Sequence, residues 1–424
     1  MTMQPWFPDA KLGIFIHYGI YAVDGVHESW SILTGEVPYD AYMRQLDGFT
    51  ASAYDAAAWA DLFARAGARY AVLTSKHHDG VALWDAPHSA YDAVKSTPAK
   101  RDLLGPFAEA LREKGLKVGF YFSHIDWNHP DYATVGNDDD PVGEARGWNR
   151  FAHAPKGGED PVRWGRFREQ YHEQVYDLIE RYQPDLLWFD GEWERSDAQW
   201  GAQELGDGIL RRNPETVING RLRTHADYAT PEQGLPFAAP QGPWELCLTI
   251  NDSWGFRHGD TNWKTVRQIV RYFAETISMG GNLLLDIGPR ADGSIPEEAV
   301  ERVEALGAWI AKHEETVYGT RAGLPAGHHY GPSTLSADRR TIYVICAEDP
   351  REHFAVRGLK NVVRRVRVVG SGTELGFSQN EAPDDVPDHL WIEAPAAEDL
   401  DAAATVIAIE LESELDLYTG AGRD

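Results

Sequence analysis

The stretch DLLWFD, residues 185–190, decides the fold. Leu186 to Phe189 are apolar without alternation, as expected of a strand covered on both faces, and an aspartate closes it. The residues before it place Trp164, Phe167, Tyr171, Val175 and Leu178 at steps of three and four. That spacing predicts a helix over 163–182 with one apolar stripe. A helix near 199–212 and a short strand at 216–219 follow. The same unit recurs on either side: LGIFIHYG (12–19), a helix over 53–66, YAVLTSK (70–76), a helix over 102–114, and KVGFYFS (117–123). Further on come a strand at 245–250, a helix about 263–279, and NLLLDI (282–287). The last helix is expected to open on a capping box formed by Ser294 and Glu297. Strands mostly followed by helices predict a parallel β/α architecture. No G-x-G-x-x-G follows any strand, and the units outnumber those of a typical doubly wound sheet. The α/β reading is therefore a (β/α)8-like barrel with one irregular unit.

Trp127–Asp160, rich in Asp and Gly, reads as an insertion after the third strand, and Asp138-Asp139-Asp140 within it as a solvated loop. Near residue 322 the helices stop, and β runs appear at 341–346, 362–369, 390–392 and 405–411. We expect a barrel domain over 1–322 and a small C-terminal β-sandwich domain over 323–424.

Composition narrows the partners. With 40 basic and 66 acidic residues the chain carries a formal charge of −26, which repels nucleic acid and anionic membrane. A neutral substrate meets no such barrier, and 15 Trp and 18 Tyr offer flat apolar faces to sugar C–H bonds. Cys247 and Cys346 lie in separate apolar runs and are expected as free thiols. The opening MTMQPWFPDAK lacks a basic segment leading into an apolar one, so no signal peptide is read. No apolar run is long enough to span a bilayer. A cytoplasmic protein is the expectation; oligomeric state is not legible.

Barrel active sites form at the C-terminal ends of the strands. Those ends carry His17; Lys76-His77-His78-Asp79; Tyr121, His124 and Asp126; Trp188, Asp190, Glu192 and Glu194; and Arg221. Asp190, held at the rim by the run before it, suits a fixed, ionised nucleophile for glycosyl transfer with retention, which needs a second carboxyl about 5–5.5 Å away. Equally, it could cap a loop or pair with Arg221. His77-His78 could bind sugar hydroxyls, be structural, or ligate a metal together with His17, Asp79 and Asp190.

GIFIHYG (13–19), TSKHHDGVALWD (74–85), PDLLWFDG (184–191), NDSWGF (251–256) and MGGNLLLDIGPRADGSIP (279–296), in that order, resemble the α-L-fucosidases of glycoside hydrolase family 29. The resemblance runs from about Trp6 to Gly319. It implies a metal-independent enzyme without cofactor, acting on fucosylated oligosaccharides or glycoconjugates. Asp190 matches the family nucleophile. His17, His77 and His78 match histidines that hold fucose hydroxyls, and Trp188 matches a binding-site tryptophan. Glu28 and Trp30 resemble the family's Glu-Trp pair, although Ser29 separates them here. Tyr121 and Arg221 match residues near the sugar and the catalytic carboxylates, and Trp254 an aromatic against the fucose methyl. The family varies the position of its acid/base. Two glutamates compete for it, Glu232 in DYATPEQ (227–233) and Glu245 in WELC (244–247). Glu232, in a loop after Arg221, is preferred, because a strand-start glutamate should point to the opposite rim or pack structurally. The rivals are a glycosidase for a related sugar such as an α-L-galactoside, a metal-dependent hydrolase, and a non-catalytic sugar-binding protein.

Overall fold

The structure, a computed structural model, describes residues 3–132, 160–348, 350, 352–379 and 389–418. Most of the expected insertion, with Asp138–Asp140, lies outside them. Among the described residues seven parallel strands form the main path of the nine-stranded central sheet: β1 (Leu12–Ile16), β2 (Tyr70–Lys76), β3 (Lys117–Ser123), β4 (Leu186–Asp190), β5 (Val217–Ile218), β6 (Glu245–Thr249) and β7 (Asn282–Ile287). Their order is β5-β4-β3-β2-β1-β7-β6, which leaves a gap between β5 and β6. Residues 228–232 fill it: Tyr228 bridges Asn219, Ala229 bridges Trp244, and Glu232 bridges Cys247, all in parallel. This is the irregular unit. Helices α1 (Ala56–Arg65), α2 (Leu104–Glu113), α3 (Pro161–Tyr182), α4 (Ala202–Arg212), α5 (Val266–Ser278) and α6 (Glu297–Lys312) alternate with the strands.

The two-residue period of the strands sorts their side chains between two cores. Leu187 and Phe189 face the helices, in one large cluster with residues such as Phe107, Val175 and Ile209. Leu186 and Trp188 face the barrel axis with Phe15, Tyr70, Val72, Tyr121, Val217, Cys247 and Leu284. By the same parity Asp190, His17, Glu245 and Asp286 also point to the axis, and that alignment builds the site.

Two local expectations are corrected. Ser294 does not cap α6: its hydroxyl donates to Asp292 Oδ1 at 2.7 Å, and the helix begins at Glu297 behind Pro296. Reciprocal capping boxes instead occur at Ser196–Gln199 and at Thr265–Gln268, the latter opening α5. The helix read over 199–212 breaks at Gly201 (φ 65°), which ends the short turn 197–200 before α4 starts.

Beyond the barrel, β8 (Arg321–Ala322), β9 (Ser333–Leu335), β10 (Thr341–Cys346), β11 (Phe354–Val356), β12 (Val363–Val368), β13 (Phe377–Gln379), β14 (Leu390–Ile392) and β15 (Thr405–Leu411) are all antiparallel. They form a five-stranded sheet, β8-β9-β10-β15-β12, and a three-stranded sheet, β11-β14-β13. Val344, Val366 and Ile407 meet Val356, Leu390 and Ile392 between the sheets. The other face of the larger sheet, with Tyr343, Ile345, Val406 and Ala408, joins the core beneath the barrel helices, and Trp309 Nε1 donates to Ala404 O at 2.8 Å. Both cysteines are free thiols. Among the described residues no helix is long and apolar enough to cross a membrane.

Candidate active site

Asp190 ends β4 on the axial face, and Asn219 pins the residue before it. The Asn219 amide accepts from Phe189 N and donates to Phe189 O, both at 2.9 Å. Gly191, at φ 90°, then turns the chain away, with Ile125 so close that a Cβ would meet it at 2.7 Å. Both Asp190 oxygens are engaged: Tyr121 Oη donates to Oδ2 at 2.8 Å, and Arg221 Nη1 donates to Oδ1. The other arm of the same guanidinium, Nη2, donates to Glu232 Oε2 at 2.6 Å. Arg221 lies over the Trp188 ring, 4.8 Å from its centroid. Burial works against its charge, but Asp190 and Glu232 outweigh that and raise its pKa above the ordinary arginine value. Glu232 is not on a free loop. It is held in register with Cys247 by the segment that closes the barrel, and its side chain is 40% exposed, at the edge of the pocket.

Three histidines stand beside this group, each tied through Nδ1. His17 meets Asp286 Oδ1 at 2.7 Å, His77 meets Ser29 Oγ at 2.6 Å, and His78 meets Ser123 Oγ at 2.6 Å. Ser123 donates its own proton to Ile125 O at 2.8 Å, so it must accept from His78 Nδ1–H. The lone pair of His78 is thereby fixed on Nε2. That atom lies 3.6 Å from Asp190 Oδ2 and is buried without a hydrogen-bond partner. Two acceptors facing each other across this gap suit a ligand hydroxyl that donates to one of them. Burial, then His17 and Arg221, push the His78 pKa down to about 3. Burial first, with a neighbouring histidine second, also holds His17 and His77 well below the usual range. The cluster is neutral at physiological pH. Trp254 is half-buried against His17, with ring centroids 5.1 Å apart, and Trp188 stacks on Tyr121 at 5.8 Å.

The remaining candidates stand further off. Glu28 is fully buried, and burial raises its pKa to about 7. Its carboxyl accepts from Gly255 N at 2.5 Å and lies 3.4 Å from His27 Nε2, so its contacts run to the Trp254 loop rather than to Asp190 or Arg221. Trp30 starts a short helix, Trp30–Thr34, and sets its edge on His78 at 5.3 Å. Ser29, which interrupts the Glu-Trp pair, is the residue that holds His77. Glu245 is sealed in the barrel beneath the site: Tyr70 Oη donates to it, and so does Trp188 Nε1 at 2.9 Å. Burial raises its pKa to about 7. Glu192 has a buried oxygen without a partner, and burial raises its pKa too. Ser29, Ser123 and Asn219 were missed by sequence reasoning, since single polar residues at strand ends form no pattern. Among the described residues no group of three or more His, Cys, Asp and Glu is arranged to hold a metal ion.

Residues 1–315 match the family model described as alpha-L-fucosidase. The chain belongs to the α-L-fucosidase family. The bovine tissue alpha-L-fucosidase is 32% identical over 355 residues, covering 75% of this chain and 69% of the relative. Among solved fucosidase structures, alpha-L-fucosidase isoenzyme 1 from Paenibacillus thiaminolyticus superimposes with a TM-score of 0.84 at 34% identity, covering 96% of this chain and 98% of that one. A family 29 fucosidase from Bacteroides thetaiotaomicron, captured as a trapped covalent intermediate with 2-fluoro-fucosyl fluoride, superimposes with a TM-score of 0.81 at 25% identity. There the coverage is 96% and 95%. These neighbours share the fucosidase barrel followed by a β-sandwich, as found here.

Proposed function

We propose that this chain is a retaining, exo-acting α-L-fucosidase that removes terminal α-L-fucosyl residues from oligosaccharides or glycoconjugates. The observation that carries the reading is the placement of Asp190 and Glu232 on the two arms of Arg221. One guanidinium spans only a few Å, the scale of the roughly 5–5.5 Å between the carboxyls of retaining enzymes. Asp190 attacks the anomeric carbon while Glu232 gives its proton to the departing oxygen, and the glycosidic bond breaks as the Asp190 ester forms. Glu232, now a carboxylate, takes a proton from water. The water oxygen bonds to the anomeric carbon, the ester bond breaks, and fucose leaves with net retention. The covalent intermediate trapped in the Bacteroides relative supports this route.

The neutral imidazoles of His17, His77 and His78 hydrogen-bond sugar hydroxyls, His78 as an acceptor through Nε2. Trp254 packs on the apolar side of the sugar at its methyl group, and Trp188 and Tyr121 form the floor. Trp254 also favours fucose over an α-L-galactoside, whose extra hydroxyl would lose its water against the indole.

The test is hydrolysis of 4-nitrophenyl α-L-fucoside, and of the matching α-L-galactoside, by wild type and Asp190→Asn, with and without chelator. Fucoside-selective, chelator-resistant release that the substitution abolishes is expected. Unchanged turnover by Asp190→Asn would remove the nucleophile from this account, and release lost with chelator would favour a metal hydrolase.

A further inference from the structure

The turn that follows Asp190 presents a tryptophan that the proposed mechanism does not use. Gly191 starts it in the left-handed region, and Glu192–Glu194 form a single 3-10 turn. Both flanks are anchored. Trp200 Nε1 donates to Glu192 O at 3.1 Å, and Tyr132 Oη donates to the Glu194 carboxylate. Arg195, 5% exposed, lies over the rings of Trp164 and Tyr132, at 5.1 and 5.4 Å. Between these anchors Trp193 is 46% exposed. Its ring stacks on Trp30 at 6.1 Å and 16°. Both indoles stand on the ring of His78, at 5.9 Å for Trp193 and 5.3 Å for Trp30. A rigid turn thus holds a large apolar face in solvent, one ring away from His78 and two from the Asp190 carboxylate. The inner pocket does not need it, because His17, His77, His78, Tyr121 and Trp188 are all buried.

We propose that Trp193, backed by Trp30, is the platform for the ring of the leaving group, the sugar next to the scissile bond. An indole offers a flat apolar face at little entropic cost, and one already held in place by a stacked partner and an anchored turn loses less still on binding. The hydrophobic face of a pyranose, with its axial C–H bonds, is the surface it fits. The platform therefore acts on selection among fucosylated substrates rather than on the chemistry at the anomeric carbon. The proposal rests on the fucosidase reading.

The test compares leaving groups with and without a ring. Wild type, Trp193→Ala and Trp193→Phe are assayed for kcat/KM on α-L-fucosyl fluoride, on 4-nitrophenyl α-L-fucoside, and on the fucosyl disaccharides that wild type cleaves. With fluoride, Trp193→Ala is expected to match wild type. With ring-bearing leaving groups it should fall roughly 5- to 10-fold, the scale of one aromatic contact, and Trp193→Phe should lie between. An equal loss on all substrates, or no loss on the ring-bearing ones, would overturn the platform. Failure of the parent reading looks different, since wild type itself would then release no fluoride.

Discussion

Arg221 grips two carboxylates with the two ends of one rigid group, and the two differ in surroundings. Asp190 is enclosed by Tyr121 and the histidines, whereas Glu232 stands at the mouth with 40% of its side chain in solvent. An anion can take the place of the second far more readily than the first. Glu232→Ala should therefore lower turnover of natural-type substrates by about 10²- to 10⁴-fold, the usual worth of general acid–base catalysis. Azide should restore part of the rate on 4-nitrophenyl α-L-fucoside and yield a fucosyl azide. Glu245→Ala should show no azide rescue, because Glu245 is sealed beneath Trp188 and holds its indole. The reverse pattern would exchange the two assignments. At this scale the sequence was informative where a residue follows an apolar run, as with Asp190, or forms a contiguous pair, as with His77-His78. It was silent on the hydroxyls that orient them. Ser29 looked like an interruption between Glu28 and Trp30, yet it is the group bonded to His77.

The long apolar strands and amphipathic helices were legible because each carries its period over enough residues to be counted. Elements held by tertiary contacts were not. DYATPEQ, with Pro231 and few apolar residues, has no strand pattern, yet its backbone bridges β5 to β6 and thereby carries Glu232 to the rim. In the C-terminal region β8, β9, β11, β13 and β14 have three residues or fewer, too few for alternation to register, and of these the sequence marked only β14. The MGGNLLL segment shows how sequence and packing meet. Gly280 ends α5 in the left-handed region at φ 80°, and Gly281 brings β7 against the Trp244 ring, where a Cβ would come within 2.4 Å. Trp244 is 2% exposed and has no room to yield. Gly281→Ala should cost about 1–3 kcal/mol, as overpacked cores do, with a lower thermal midpoint and a nearly unchanged KM in the protein that folds. An unaltered midpoint would mean that β7 can shift without disturbing its neighbours.

Across the whole molecule, the barrel axis is layered: a carboxyl and aromatic layer at the base, a floor of Trp188 and Tyr121, and the reactive group at the rim. Glu245 joins the lower two layers, since it begins β6 and bonds both Tyr70 and Trp188. A buried carboxyl of this kind ties global stability to pH. In the unfolded chain a glutamate ionises near its ordinary 4.5, whereas in the folded barrel burial raises this to about 7. Between those values the folded state keeps a proton that the unfolded state has released. The stability contributed by protonated Glu245 is thus fully present below about pH 4.5, falls as pH rises, and levels off above about pH 7. Glu245→Gln keeps an oxygen to accept from Trp188 but cannot ionise. The thermal midpoint of the variant, measured relative to wild type, should rise steadily between about pH 5 and pH 7 and then stay constant, a differential on the order of a few kcal/mol. Taking the difference at each pH removes the opposing titration of the buried histidines, which lose stability as pH falls below their ordinary value. A difference independent of pH would show that Glu245 is already ionised in the folded barrel. Tyr70 and Trp188 would then be bonded to a buried carboxylate, and the base of the barrel would have to supply the positive potential that holds it.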